Sequence, residues 1–337
     1  MVDYIVVDLF LAVTFGPSRN DANREVPLTT VRDQTALAHE LTDAVAEVLG
    51  SHPGHRVTHT KGTVLTGTFT PTPRARELTR AAHMQGGPVR VTVRFSNGDP
   101  NPLCPDAAQD DPRGMAVKFY LPDATTTDVV CQNWPVFPAG TPEGFLGLIR
   151  AQGRGAEATE AFLAEHPDIA EAVAKVATAG DPPLSWATMA FNSLVAYRLV
   201  NADGAARFVR WRLAPEAGEH SLPEAERAAA DRDYLMTGIY ELLPVRYRLL
   251  AQLADDGDQT TDASREWPAE REWADMGVVE MTGPDTTRER DGDILVNDPM
   301  RVTDGIEPSD DPILHIRTYI YGESVRRRSG VERPAQL

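Results

Sequence analysis

Strand-like and helix-like stretches follow one another along this chain in blocks, without the strand–helix–strand rhythm that a parallel sheet requires. From Arg56 to about Tyr120, runs such as Val89–Phe95 and Ala116–Tyr120 alternate in polarity and carry β-branched residues, so they read as strands. Further on, Leu194–Leu199 and Ala206–Leu213 flank Asn201-Ala202-Asp203-Gly204, a good hairpin turn. Glu143 to Lys175 is rich in Ala and Leu and reads as helix in two or more pieces, broken before Pro167. Thr35 to Gly50 has helical periodicity and stops at Gly50, ahead of a Pro53-Gly54 turn. Pro223 to about Leu253 reads as helical again, and Asp255 to Pro299, with little periodicity, as a wrapping segment. This order argues against a doubly wound sheet and suits an α+β fold.

The last helix carries the chemistry. Asp311 is placed as its N-cap and Pro312 at its first position. Arg317, Tyr321 and Arg328 then fall at i, i+4 and i+11, close to one face. A guanidinium one turn before a phenol can hold that phenol as phenolate, although it ordinarily titrates near about 10. Phenolate is a hard, anionic ligand for ferric iron. Arg328 could pair with a carboxylate on the same ligand. Plainer explanations exist too. Ile313, Ile316 and Ile320 form an apolar stripe that suits a core tyrosine, and Arg326–Arg328 suits any helix C-terminus before Gly330.

Upstream the chain reads Arg56-Val57-Thr58-His59-Thr60-Lys61-Gly62 and Arg94-Phe95-Ser96. Its middle carries Asp111-Pro112-Arg113-Gly114-Met115-Ala116-Val117-Lys118-Phe119-Tyr120, Pro135-Val136-Phe137, Phe145 and Tyr197-Arg198-Leu199-Val200-Asn201-Ala202-Asp203-Gly204. With Arg317-x3-Tyr321-x6-Arg328, these motifs in this order resemble the haem-catalase superfamily, in particular its small, catalase-related peroxidase branch. The resemblance implies an antiparallel eight-stranded β-barrel with surrounding helices, haem b lying between the barrel and the C-terminal helix. It implies Tyr321 as the proximal iron ligand, as in catalases generally, with Arg317 bonded to its oxygen. His59 becomes the distal acid–base and Ser96 the group holding its ring. Arg56, Arg94 and Arg328 become partners of the haem propionates, and Phe137 and Phe145 line or stack in the pocket.

That chemistry is coherent. Cleaving peroxide requires a proton to move from one oxygen to the other, a task for a neutral imidazole near pH 7 and typically worth about 10²–10⁴-fold. Two positions depart from the full-size catalases. Gln132 stands where they carry Asn, with Asn133 beside it, and either amide could orient peroxide. Thr58 replaces a Val before the distal His, as it does in the allene oxide synthase branch, which rearranges organic hydroperoxides. The expected function is therefore a haem peroxidase using a small reductant, with modest catalase activity. The alternatives are a biosynthetic haem enzyme on the same scaffold and a non-catalytic haem carrier or sensor. Cys104 and Cys131 raise the rival of a thiolate ligand, but neither lies in the Gly-rich loop expected of thiolate-haem monooxygenases. No Cys/His pairing has zinc spacing.

Domain expectations are an N-terminal arm over 1–35 and a haem-binding domain over 36–330. Within the latter, the barrel spans about 55–215, helices about 223–255, the wrapping segment about 256–300 and the proximal helix about 311–329. A net charge of −17 argues against nucleic acid and anionic membrane surfaces. Val2 to Phe15 is apolar, but Asp3 and Asp8 interrupt it and no basic stretch precedes it. It is too short to span a membrane, unlike a signal peptide, and reads as an arm docking on a second subunit. With only two cysteines the expected compartment is the cytoplasm.

Overall fold

Eight antiparallel strands close into a ring in the computed structural model, which describes residues 28–289 and 293–329. The chain enters through helix α1 (Leu28–Leu49), then runs through β1 (Gly62–Pro71), α2 (Pro73–Leu78), β2 (Val89–Asn97), β3 (Arg113–Tyr120) and β4 (Thr126–Gln132). Three helices follow: α3 (Pro142–Gly153), α4 (Ala156–Glu165) and α5 (Pro167–Val176). Next come β5 (Phe191–Asn192), β6 (Tyr197–Val200) and β7 (Ala206–Pro215). The short helices α6 (Glu224–Arg227) and α7 (Tyr234–Gly238) lead to β8 (Val245–Leu253), β9 (Trp273–Pro284), β10 (Ile306–Pro308) and the last helix, α8 (Pro312–Arg328).

The ring runs β1–β2–β3–β4–β5–β7–β8–β9 and back to β1, while β6 and β10 extend from β7. Every pairing is antiparallel. Aromatics from distant parts of the chain meet inside it: Phe95 of β2 stacks on Trp186, which precedes β5, at 5.4 Å and lies 5.9 Å from Phe191 and 6.0 Å from Tyr247. The barrel interior is thus a packed core, and a ligand pocket has to lie outside it.

Local devices operate as their residues predict. Asp311 caps α8 by accepting from the Ile313 amide at 2.8 Å, with Pro312 in the first turn. Thr141 caps α3 through the Gly144 amide at 3.1 Å, and Pro167 opens α5. Gly50, at φ +93°, closes α1 in the left-handed conformation that only glycine adopts without strain.

Three expectations need correction. The helix expected from Thr35 begins at Leu28, within the span assigned to an arm; the rest of that arm lies outside the described residues. Residues 245–253, expected as helix, form strand β8. Val245, Tyr247 and Leu249 are buried while Arg246 and Arg248 face solvent, a period of two that Leu- and Arg-rich composition disguises. The unpatterned stretch from Asp255 contains β9, whose alternation changes phase at an irregularity where Leu249 and Leu250 meet it around Gly277. The barrel consequently does not end near residue 215; it closes through β8 and β9.

Candidate active site

The register of β2, β3 and β4 builds one wall of the site. Ser96 pairs with Gly114 and Gly114 with Gln132; one row on, Arg94 pairs with Ala116 and Ala116 with Val130. Side chains opposite one another across a sheet share a face. In the alternate row, Phe95 packs among the barrel aromatics, while Met115 and Cys131 also border the cavity. A cavity lies over the first face, bounded also by Arg56, His59 and Asn297 and, from α8, by Arg317 and Tyr321.

His59 is held there against its backbone preference. Its φ is 51°, a region costing a non-glycine residue of order 1–3 kcal/mol. Bonds on both sides of the peptide fix it: its amide donates to Gly98 O at 2.6 Å and its carbonyl accepts from Arg94 Nη2 at 3.0 Å. Asp111 supports the receiving loop by accepting from the Gly98 and Asp99 amides at 2.9 and 3.2 Å. The imidazole Nδ1 lies 3.0 Å from Ser96 Oγ. Burial, reinforced by the charges of Arg94, Arg56 and Arg317 and only partly opposed by Ser96, holds the imidazole well below the usual histidine range. It is neutral at pH 7.

Across the cavity, Arg317 Nε donates to Tyr321 Oη at 2.7 Å. Burial weakens the guanidinium's hold on its proton, but the oxygens of Tyr321 and Tyr197 and the carboxyl of Asp298 outweigh it, so Arg317 stays charged. Thr318, between them on the helix, donates to Asp298 at 3.0 Å.

Arg56 and Arg94 are both buried and share one anion: the Glu289 carboxylate contacts Arg56 Nη2 through Oε1 and Arg94 Nε through Oε2, the latter at 3.1 Å. Arg56 also donates to Leu295 O at 2.9 Å. Arg328 is buried on α8 two turns past Tyr321 and does not line the cavity, while Arg326 and Arg327 are spent on Glu323.

The remaining candidates separate. Gln132 lines the cavity, and its Oε1 is buried without a hydrogen-bond partner among the described residues, as is Asn297 Oδ1. Asn133 does not reach the cavity. Its Oδ1 accepts from the Arg113 amide at 2.8 Å and its Nδ2 donates to Ala179 O at 3.0 Å, so the amide is committed to the backbone. Thr58 is fully buried next to His59 and is not among the lining residues. Phe137 lines a second, largely apolar cavity with Ser193, Leu194, Val195 and Ile313, which shares Val130, Gln132 and Arg317 with the first. Phe145 packs behind it, ring centroids 5.0 Å apart. Cys104 and Cys131 are buried and free, and burial pushes both thiols well above their usual range, against a thiolate ligand.

Sequence reasoning missed Gly114, Asn297 and Glu289. A glycine inside a β-branched strand signals close approach by another group; Asn297 and Glu289 lie in a stretch without periodicity and carried no signal.

The family model described as Catalase matches residues 32–335. The chain belongs to the catalase family. A catalase-related peroxidase of Mycolicibacterium paratuberculosis is 44% identical over 300 residues, covering 87% of this chain and 95% of that one. A second, from Synechococcus elongatus, is 30% identical over 86% of this chain and 88% of its own length. Among solved structures, a bacterial catalase superposes with a TM-score of 0.73 at 22% identity, and a fungal catalase with 0.72 at 23%. These cover 93% and 94% of this chain but 64% and 66% of the larger catalases, and show a common fold.

Membership in the catalase family makes the protein an oxidoreductase acting on peroxide and implies a haem cofactor. The cavity suits such a group: a phenol oxygen on one wall, an imidazole on another, buried guanidiniums at its edge and two amide oxygens still requiring donors. Among the described residues, no helix is long and apolar enough to cross a membrane.

Proposed function

We propose that this protein is a haem b peroxidase that reduces hydrogen peroxide or organic hydroperoxides with a small reductant and has modest catalase activity. The observation that carries the reading is the pairing, across one cavity, of a buried neutral imidazole with a phenol bonded to a buried guanidinium. Tyr321 would hold the iron, with Arg317 donating to its oxygen at 2.7 Å and so favouring the phenolate form. Bound there, haem supplies the redox-active iron that reduces peroxide.

The chain's own residues manage the proton. Ser96 accepts from His59 Nδ1–H, which fixes the tautomer and leaves the Nε2 lone pair free for the peroxide proton. Because burial and three arginines depress the imidazole, it remains a base down through the pH range where an ordinary histidine becomes charged. Gln132 offers the proton-bearing end of the substrate its unpaired carbonyl. Arg56, Arg94 and Arg328 serve the cofactor's carboxylates, and Phe137 and Phe145 shape the approach.

One observation favours a role in organic hydroperoxide chemistry. The second cavity meets the first at Gln132 and is walled by Phe137, Leu194, Val195 and Ile313, which suits an apolar substrate tail. Oxygen release from hydrogen peroxide, set against loss of an organic hydroperoxide without added reductant, separates the peroxidase from the isomerase. A mere carrier has no use for a base held in strained backbone. Two buried, free thiols fit a reducing compartment, and we place the enzyme in the cytoplasm.

The test is rapid mixing of the haem-loaded protein with hydrogen peroxide, following the haem absorption in wild type and His59→Ala. The expected result is a reaction at least about 10²-fold slower in the variant, with haem content unchanged. Equal rates overturn the assignment of His59, and no reaction in the wild type overturns the peroxidase.

A further inference from the structure

Two buried guanidiniums without an anion between them are costly, because each has lost its hydration. In this protein the anion is internal. Glu289 gives one carboxylate oxygen to Arg56 and the other to Arg94, residues separated from it by 233 and 195 positions. A carboxylate bridging two arginines in this way uses both oxygens and the planar fork geometry that an incoming carboxylate also needs.

Glu289 is not at rest there. Its φ of 55° lies in the left-handed region that non-glycine residues avoid. Its amide is tied down by donation to Asp293 Oδ2 at 2.9 Å, a carboxylate oxygen that also forms an ion pair with Arg288 at 3.0 Å. The preceding turn is anchored by Asp285, which accepts from Thr92 Oγ1 at 3.0 Å and donates its amide to Val64 O at 2.9 Å. The chain thus sets a carboxylate between the two arginines from a left-handed backbone position that its neighbours hold in place.

From this geometry we propose that Arg56 and Arg94 form a carboxylate subsite already filled from within the chain, and that Glu289 is the competitor a carboxylate of the incoming cofactor displaces. The inference rests on the haem reading above. Glu289 neutralises the arginines until the cofactor arrives and slows its entry. Although burial opposes ionisation, the two guanidiniums hold the carboxyl well below the usual range, so the competitor is an anion at any pH at which the enzyme works.

The test titrates the haem-free protein with haemin, comparing wild type and Glu289→Gln by the growth of haem absorption, and measures thermal unfolding of each protein before and after loading. Glu289→Gln keeps the shape and removes the charge. The expected result is haem uptake faster by about 10-fold or more, as suits removal of a charge-assisted contact. Alongside it, the variant's loss of thermal stability should be larger in the haem-free protein than in the loaded one. Equal or slower uptake by the variant overturns the competitor role and leaves the haem reading standing. Failure of both folded proteins to take up haem, judged by unchanged circular dichroism, overturns the haem reading and this role together.

Discussion

At Gly114 a methyl group would stand 3.0 Å from Cε1 and 3.1 Å from Nδ1 of His59, and 3.2 Å from Ser96 Oγ. The imidazole lies against the one position of β3 where no side chain intervenes between Ser96 and Gln132. Gly114→Ala should therefore push the ring off its axis while leaving the strand intact, since alanine is acceptable in an extended backbone. Misplacement of a catalytic group by about 1 Å costs up to about 10²-fold. We expect a loss of that order in peroxide consumption, measured with haem absorption and thermal stability nearly unchanged; a variant of wild-type rate would mean that the ring's position is not critical. The same row explains why adjacent amides have different fates. The sequence puts Gln132 at the expected position and Asn133 beside it, and by residue type either amide could orient peroxide. The pleat decides, turning Gln132 to the cavity and leaving Asn133 to bond Arg113 and Ala179.

Elements differ in how legible they were. Helix α8 could be read almost whole: an aspartate cap, a proline in the first turn, an apolar stripe and a guanidinium one turn from a phenol all act within a few residues of chain. Its cap sets the direction of the helix that presents Arg317 and Tyr321. Asp311→Ala should lower stability by about 1 kcal/mol, the typical value of a lost N-cap. That is visible as a lower unfolding temperature, and haem absorption should broaden as the tyrosine's position loosens; an unchanged unfolding temperature would show that the cap is dispensable. Strands β8 and β9 were not legible, for two reasons. The sequence of β8 is built from good helix formers, and only pairing to β7 and β9 makes it a strand. In β9, Gly277 at φ +148° lies so close to β1 that a Cβ would stand 2.4 Å from Thr70 O, and the irregularity there breaks the alternation that pattern reading relies on.

The molecule as a whole is tied across the site by a buried polar chain. Lys118 on β3 pairs with Asp128 on β4 at 2.8 Å; Asp128 accepts from Arg301 and from the Asp298 amide, and Asp298 accepts from Thr318 on α8. Barrel and proximal helix are thereby held at a set separation, which a two-walled site requires. Asp128→Ala would leave Lys118 and Arg301 without their common anion, and breaking such a buried pair costs about 3–5 kcal/mol. Chemical denaturation should show a loss of that size, and a loss below about 1 kcal/mol would mean that the chain of contacts is incidental. What the sequence by itself determined is local: the helix ends and caps, the apolar stripe, the turn chemistry, and the spacing of Arg317, Tyr321 and Arg328. Such features depend on neighbours within one or two turns, and residue type sets them directly. Barrel closure through β8 and β9, the choice of Gln132 over Asn133 and the seating of Glu289 between Arg56 and Arg94 were decided only by the tertiary structure. Each depends on register or burial against partners far away in the chain, and neither quantity exists until the strands have met.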